Sequence, residues 1–167
     1  MICLLSNKSH DRSCSGKERY SRNTGKIYVT NDFIPQFFDE NTSLPSTVRL
    51  NSAKGDSNFH FDAVNNTITV EESGLYFLQF SIQVFAATIN QNSLPLKFEL
   101  QRNGGTIVNS QTSFNNNNFD IDYATSTLML EELKKGDKIR LVLSGPSPFP
   151  AGRVNRLDFA SVAIFRA

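Results

Sequence analysis

Two imidazoles, two thiols and three pairs of carboxylates are the side chains to weigh first for chemistry in this 167-residue chain. His10 and His60 lie far apart in sequence, and no Ser-His-Asp or Cys-His set with a nucleophile, a base and an orienting acid can be assembled around either. A closed zinc site needs four nitrogen, sulfur or oxygen ligands. His60 has no second imidazole or thiolate near it in sequence, and His10 has only Cys3 and Cys14. Asp39-Glu40, Glu71-Glu72 and the pair Asp120 and Asp122 could each contribute oxygens to calcium, which takes six to eight. Asp120 and Asp122 alternate with Phe119, Ile121 and Tyr123, however, which in a strand puts both carboxylates on one solvated face. Gly104-Gly105 lacks the Lys-Ser/Thr that a phosphate-binding loop requires. The expectation is a protein with no catalytic residues, no metal and no cofactor.

Charge narrows the partners. Seventeen Lys and Arg stand against sixteen Asp and Glu, a net charge of +1, so no basic footprint points to nucleic acid or to an anionic membrane. No apolar run approaches the roughly 20 residues of a spanning helix, so membrane insertion is not expected. Met1 to Leu5 is shorter than the roughly 7–15 apolar residues of a secretory signal peptide. Asn7-Lys8-Ser9, Asn41-Thr42-Ser43 and Asn65-Asn66-Thr67 match the glycosylation pattern, which matters only on a eukaryotic secretory route.

The elements that must position any site read as strands. Residues 1–26 form a polar arm without periodicity, in which Cys3 and Cys14 could staple the tail or remain free thiols. From residue 27 to 167 short alternating runs follow one another, first around Ile27-Tyr28-Val29 and Phe33 to Phe38. Gly74 to Ala87 is the clearest: Tyr76, Leu78, Phe80, Ile82 and Val84 share one face, and Leu75, Phe77, Gln79, Ser81 and Gln83 the other. Leu96, Phe98 and Leu100 alternate with Lys97, Glu99 and Gln101, and Arg102-Asn103-Gly104-Gly105 supplies a tight hairpin. Ser126, Leu128 and Leu130 lead into Leu133, and Lys135-Gly136-Asp137 reads as the turn of a second hairpin into Ile139, Leu141 and Leu143. The last run sets Phe159, Ser161, Ala163 and Phe165 against Ala160, Val162 and Ile164, both faces apolar enough to require cover. Asn115 to Asn118 and Gly145 to Pro148 read as loops. Many short strands without an amphipathic helix predict an all-β fold, a two-sheet sandwich or jelly roll.

Five segments, in order, resemble the globular head family of complement component 1q and tumour necrosis factor. They are Phe59-His60-Phe61-Asp62 with Thr67-Ile68-Thr69-Val70, then Ser73-Gly74-Leu75-Tyr76-Phe77, and Leu100-Gln101-Arg102-Asn103-Gly104. Leu133-Lys134-Lys135-Gly136-Asp137-Lys138-Ile139-Arg140-Leu141 and the closing Phe159-Ala160-Ser161-Val162-Ala163-Ile164-Phe165 complete the set. Ser161 stands where the family often has glycine, and Glu131-Glu132 where it has a more apolar run.

The resemblance implies a ten-stranded jelly roll assembled as a homotrimer, with ligands held in outer loops or subunit grooves. It implies a trimer interface at Leu75, Phe77, Gln79, Ser126 and Phe159. The mixed face of Gly74 to Ala87 beside a wholly apolar one points the same way. The expected function is a non-catalytic recognition or surface-coat head outside a cell or particle, partnered by copies of itself and by a protein or glycan ligand. A tumour-necrosis-factor-like soluble signal and a trimeric viral or phage fibre tip are the alternatives. A cupin-type enzyme would need a His-rich metal motif that these residues do not contain. No Gly-X-Y repeat is present, so the collagen-like stalk such heads carry is missing, lies elsewhere or is replaced.

Overall fold

The structure, a computed structural model, describes residues 25–39, 41–88, 96–114, 121–145 and 153–167. His10, Cys3, Cys14, Glu40, Asp120, the Asn115 to Asn118 run, Pro146 to Pro148, the Asn7 acceptor and nearly all of the expected 1–26 arm lie outside them.

Every regular element is a strand: β1 (Lys26–Thr30), β2 (Gln36–Phe38), β3 (Ser46–Thr47), β4 (Ser52–Gly55), β5 (Phe59–Asp62), β6 (Thr67–Val70), β7 (Gly74–Thr88), β8 (Leu96–Arg102), β9 (Gly105–Thr106), β10 (Thr112–Phe114), β11 (Ile121–Leu133), β12 (Lys138–Ser144) and β13 (Arg153–Arg166). They form two antiparallel sheets. The first runs β11-β7-β13-β1-β4, with β2 also on β13, and the second runs β10-β8-β12-β6-β5, with β3 on β12 and β9 on β8. Five-strand paths in two facing sheets make the two-sheet sandwich that the strand pattern predicts, with the jelly-roll form that the resemblance implies.

Period two decides what lies between the sheets. Tyr76, Leu78, Phe80, Ile82 and Val84 of β7 are all at most 1% exposed, as the alternation predicts. Ile27 and Val29, Leu157, Ala160, Val162 and Ile164 join them from the first sheet, and Phe98, Leu100, Ile139, Leu141 and Leu143 from the second. Tyr76 is tolerated at the bottom of this core because its hydroxyl donates to the Glu72 carbonyl at 2.8 Å. Burial, the largest influence on that phenol, raises its pKa.

Two local expectations are corrected. The turn at Lys135-Gly136-Asp137 does not close a hairpin: β11 pairs with β7 in the first sheet, whereas β12 pairs with β8 and β6 in the second. Its backbone groups bond outward instead. Gly136 N–H donates to the Val70 carbonyl (2.7 Å), Val70 N–H to Asp137 (2.9 Å) and Lys135 N–H to the Ser73 hydroxyl (2.9 Å). The Asn103-Gly104 hairpin, by contrast, is real, with φ of 53° and 87° at its two central residues. The run Phe33 to Phe38 is extended only from Gln36, because Asp32 and Phe33 take positive φ of 47° and 58° and cannot continue a ladder.

Candidate functional site

The outer face of the first sheet carries the largest concentration of solvent-facing apolar side chains. Its geometry follows from register. On β7 the residues opposite in parity to the core set are Leu75, Phe77, Gln79, Ser81, Gln83 and Phe85. Antiparallel pairing brings Leu130 beside Phe77, Leu128 beside Gln79 and Ser126 beside Ser81 on one flank. On the other flank Phe165 lies beside Phe77, Ala163 beside Gln79, Ser161 beside Ser81 and Phe159 beside Gln83. All five residues singled out from sequence, Leu75, Phe77, Gln79, Ser126 and Phe159, therefore stand on this one face.

Its character changes along the strands. At the β7 start, Leu75 is 47% exposed, Leu128 61% and Leu130 50%, and Phe77 stacks on Phe165 at 5.3 Å between ring centroids. The middle is small or polar, with Ala124, Ser126, Ser81, Gln79 and Ser161, the last buried. Ser161, where the family often has glycine, pairs in unbroken register with Ser81 and Thr30. At the far end Phe159 meets Phe33 at 5.0 Å, and Phe37 lies opposite Arg156, whose guanidinium sits 5.0 Å over the Phe85 ring.

Phe33 is held there by a polar clamp. Asn31, only 2% exposed, donates from its amide to the Ile34 carbonyl (3.1 Å) and the Asp158 carbonyl (3.3 Å). Its side-chain oxygen accepts from Phe33 N–H (3.3 Å) and Ala160 N–H (3.1 Å). The clamp uses the irregularity in β13 between Leu157 and Phe159, where an extra residue frees the Asp158 carbonyl from the ladder. Asp158 itself holds Arg156 at 2.6 and 3.0 Å, and this hydrogen bonding raises the arginine's pKa further. Asn31 thus fixes Phe33 in the left-handed conformation and presents Phe33 and Ile34, 70% and 59% exposed, as a rigid apolar ridge.

The two edges of the face differ. The β11 edge offers the leucine knobs with Glu132 beside them. The β1–β4 edge has a cleft of about 500 Å³ lined by Tyr28, Ala163 and Phe165 and flanked by Lys26, Lys54 and Asp56. Gly55 lets β4 close on β1 there, since a Cβ would lie 2.9 Å from Ile27 side-chain carbons and from the Lys26 carbonyl.

Parity from Ser126 points to Leu128 and Leu130, which belong to the site although sequence reading did not single them out. Phe33 and Phe37 had no such signal, because the clamp that places Phe33 spans Asn31 to Ala160 and Phe37 is placed by pairing with Arg156 on a distant strand. His60 lies exposed on β5, and among the described residues no three His, Cys, Asp or Glu side chains come together as metal ligands. Asp122 is exposed beside Phe85, and the acceptor residues Asn41 and Asn65 are exposed, the latter donating to Asp62 at 2.6 Å. That bond, the first of several, lowers the Asp62 pKa.

No protein-family model matches the chain, and no curated protein matches it in sequence. Among solved structures it is similar to the Eiger tumour necrosis factor of S. frugiperda, at 12% identity and a TM-score of 0.61 over 87% of this chain and 94% of that one. It is also similar to the globular domain of the zebrafish complement 1qA protein, at 18% identity and a TM-score of 0.52 over 85% and 96%. The two-sheet sandwich described above is therefore the jelly roll of complement 1q and tumour necrosis factor heads.

Proposed function

We propose that the chain is a non-catalytic recognition or surface-coat head that assembles as a homotrimer through the outer face of its first sheet and works outside a cell or particle. The observation that carries the reading is that contiguous face: Leu75, Leu128, Leu130, Tyr28, Phe165 and Phe37 are each at least 37% exposed on it. Large exposed apolar patches on folded domains mark interaction sites. The interface in this reading comprises Leu75, Phe77, Gln79, Ser126 and Phe159, extended to Leu128 and Leu130.

Unlike edges favour a ring over a two-fold dimer. In a two-fold contact one patch meets its own copy, whereas the leucine knobs of the β11 edge match the apolar floor of the cleft at Tyr28, Ala163 and Phe165. A knob-to-cleft contact is heterologous, and it closes when the rotation between copies divides a full turn. Small residues in the middle, Ala124, Ser126 and Ser81, leave room for neighbouring sheets to approach the axis. Ligand then binds at outer loops or in the grooves between subunits.

Sedimentation equilibrium at micromolar concentration tests this, with three chains expected and a single chain fatal to the assembly. A second reading, suggested by the shared fold with the Eiger tumour necrosis factor, is a soluble signal of that kind. It predicts that the assembled protein binds a cell-surface receptor with one receptor chain per groove.

A further inference from the structure

The outer face of the second sheet contains a charge that ordinary strand patterning does not explain. On β8, Leu96, Phe98 and Leu100 enter the core, so Lys97, Glu99 and Gln101 point away from it. A glutamate on such a face is normally solvated, yet Glu99 is 4% exposed. Val142, its cross-strand neighbour, is also buried and seals the floor beside it.

The carboxylate is held by neutral donors alone. One oxygen, Oε1, accepts from the Thr106 hydroxyl at 2.7 Å and the Gln101 amide at 3.0 Å, and Oε2 accepts from the Gln111 amide at 2.9 Å. Burial is the largest single influence and pushes its pKa up. The side-chain hydrogen bonds from Gln101, Thr106, Gln111 and Ser144 together outweigh it, and the group is held below the usual glutamate range. The ion pairs among the described residues include neither Glu99 nor Lys97.

Above this carboxylate opens a cleft of about 580 Å³, lined by Lys97, Glu99, Thr106, Gln111, Ser113 and Ser144. We propose that the cleft is a binding site for a neutral, hydroxyl-rich ligand of the saccharide class, with Glu99 as its acceptor and Lys97 as its donor. A carboxylate offers about four acceptor positions; Thr106, Gln101 and Gln111 take three, and the fourth faces the Ser144 hydroxyl, which can turn to the Lys97 carbonyl at 3.4 Å and yield its place to a ligand hydroxyl. The charge arrangement selects the class. A cationic ligand meets the Lys97 ammonium and an anionic one meets Glu99, whereas a hydroxyl both donates to the carboxylate and accepts from the ammonium. The hydroxyls of Ser113 and Ser144 add donors that also accept, which suits the same chemistry.

A clasp holding β9 and Gln111 to the sheet would by itself account for the hydrogen bonds to Glu99. It does not account for an ammonium that stands outside every ion pair among the described residues, with two serines around an open cleft. The inference goes beyond the proposed function: the site lies within one protomer, on the sheet opposite the assembly face, and its ligand binding is read independently of assembly.

The test uses the full chain on a printed array of neutral oligosaccharides, then titration calorimetry with the strongest binder. Alongside run Glu99→Gln, Lys97→Ala and Ser113→Trp, with the mass of each measured in the same buffer. Ser113 is exposed and makes no bond to Glu99, so its replacement fills the cleft mouth without disturbing the network and remains informative if Glu99→Gln does not fold. At least one neutral saccharide should bind the wild type, with affinity falling tenfold or more in Ser113→Trp and Lys97→Ala at unchanged mass. Absence of any binder on the array overturns the proposal, as does binding that survives Ser113→Trp. Tighter capture of spermine or heparin than of any neutral saccharide at this cleft overturns the ligand class. A single-chain mass together with saccharide binding would sink the trimer and leave the site standing.

Discussion

The two sheets of this sandwich turn opposite kinds of surface to the outside. The first exposes leucine and phenylalanine with a small polar strip between them. The second buries a carboxylate beneath amides and hydroxyls and rims it with lysine and serine. Both are built by the same alternation, so the difference lies in what each face is selected to meet. An apolar face gains by being removed from water, about 25 cal/mol for each Å² covered, and therefore suits another protein surface. A polar cleft gains little from general burial and depends on matched hydrogen bonds, which suits a small polar ligand.

The sharpest way to break this comparison is to truncate the two faces of β7 separately. Phe80→Ala or Leu78→Ala opens a cavity in the core and should cost roughly 2–5 kcal/mol in chemical denaturation. If Phe77→Ala unfolds the chain while Phe80→Ala only weakens assembly, the two faces have been assigned the wrong way round.

Removing the clamp is next in size. Asn31→Ala leaves Phe33 N–H, Ala160 N–H and two carbonyls without their side-chain partner, and an unsatisfied buried group costs about 1–3 kcal/mol. A denaturation midpoint that does not move would show that the ridge of Phe33 and Ile34 is held by other contacts.

Phe77→Ala should change the stability of the folded chain by only about 1 kcal/mol, near the centre of point-mutant effects. Its dissociation on dilution should become roughly tenfold easier, equivalent to about 1.4 kcal/mol. Equal dissociation of variant and wild type in dilution sedimentation would place the stacked Phe77 and Phe165 outside the interface.

The smallest effect is one of pH. Because the folded pKa of Glu99 lies below its ordinary value, ionisation of this group stabilises the fold above about pH 4.3, the unfolded value. That contribution is lost as pH falls through the lower folded pKa. Acid titration of stability should therefore be shallower in Glu99→Gln than in the wild type below about pH 4.3. Parallel acid profiles would mean that the carboxylate is not held by its donors in solution.

How far these faces were legible in the sequence depended on the range of the interactions. The β7 faces could be read because fifteen consecutive strand residues repeat one parity, which puts Tyr76, Leu78, Phe80, Ile82 and Val84 in the core and Leu75, Phe77 and Gln79 on the opposite side. The Asn103-Gly104 hairpin could be read because two positive φ angles demand those residue types locally. The Lys135-Gly136-Asp137 turn could not, since the same chemistry serves a hairpin or a crossing between sheets and only the partners at Val70 and Ser73 distinguish them. Phe33 read as strand because its placement depends on Asn31 reaching Asp158 and Ala160 across the fold. The burial of Glu99 had no local signal either, since alternation sets it only on the face opposite Phe98 and its cover comes from Thr106 and Gln111 beyond a turn.

Hydroxyl-radical footprinting measures most directly whether copies of the chain cover the first sheet and leave the second open. The reference is Leu130→Arg, which places a charge in the proposed contact and should yield folded single chains. Oxidation of Leu128, Phe77 and Phe165 should be several-fold slower in the wild type than in this variant, while Val108, 78% exposed beyond the β8–β9 hairpin of the second sheet, reacts equally in both. Equal oxidation of Leu128 and Phe77 in the two proteins, with the variant folded, would contradict the account.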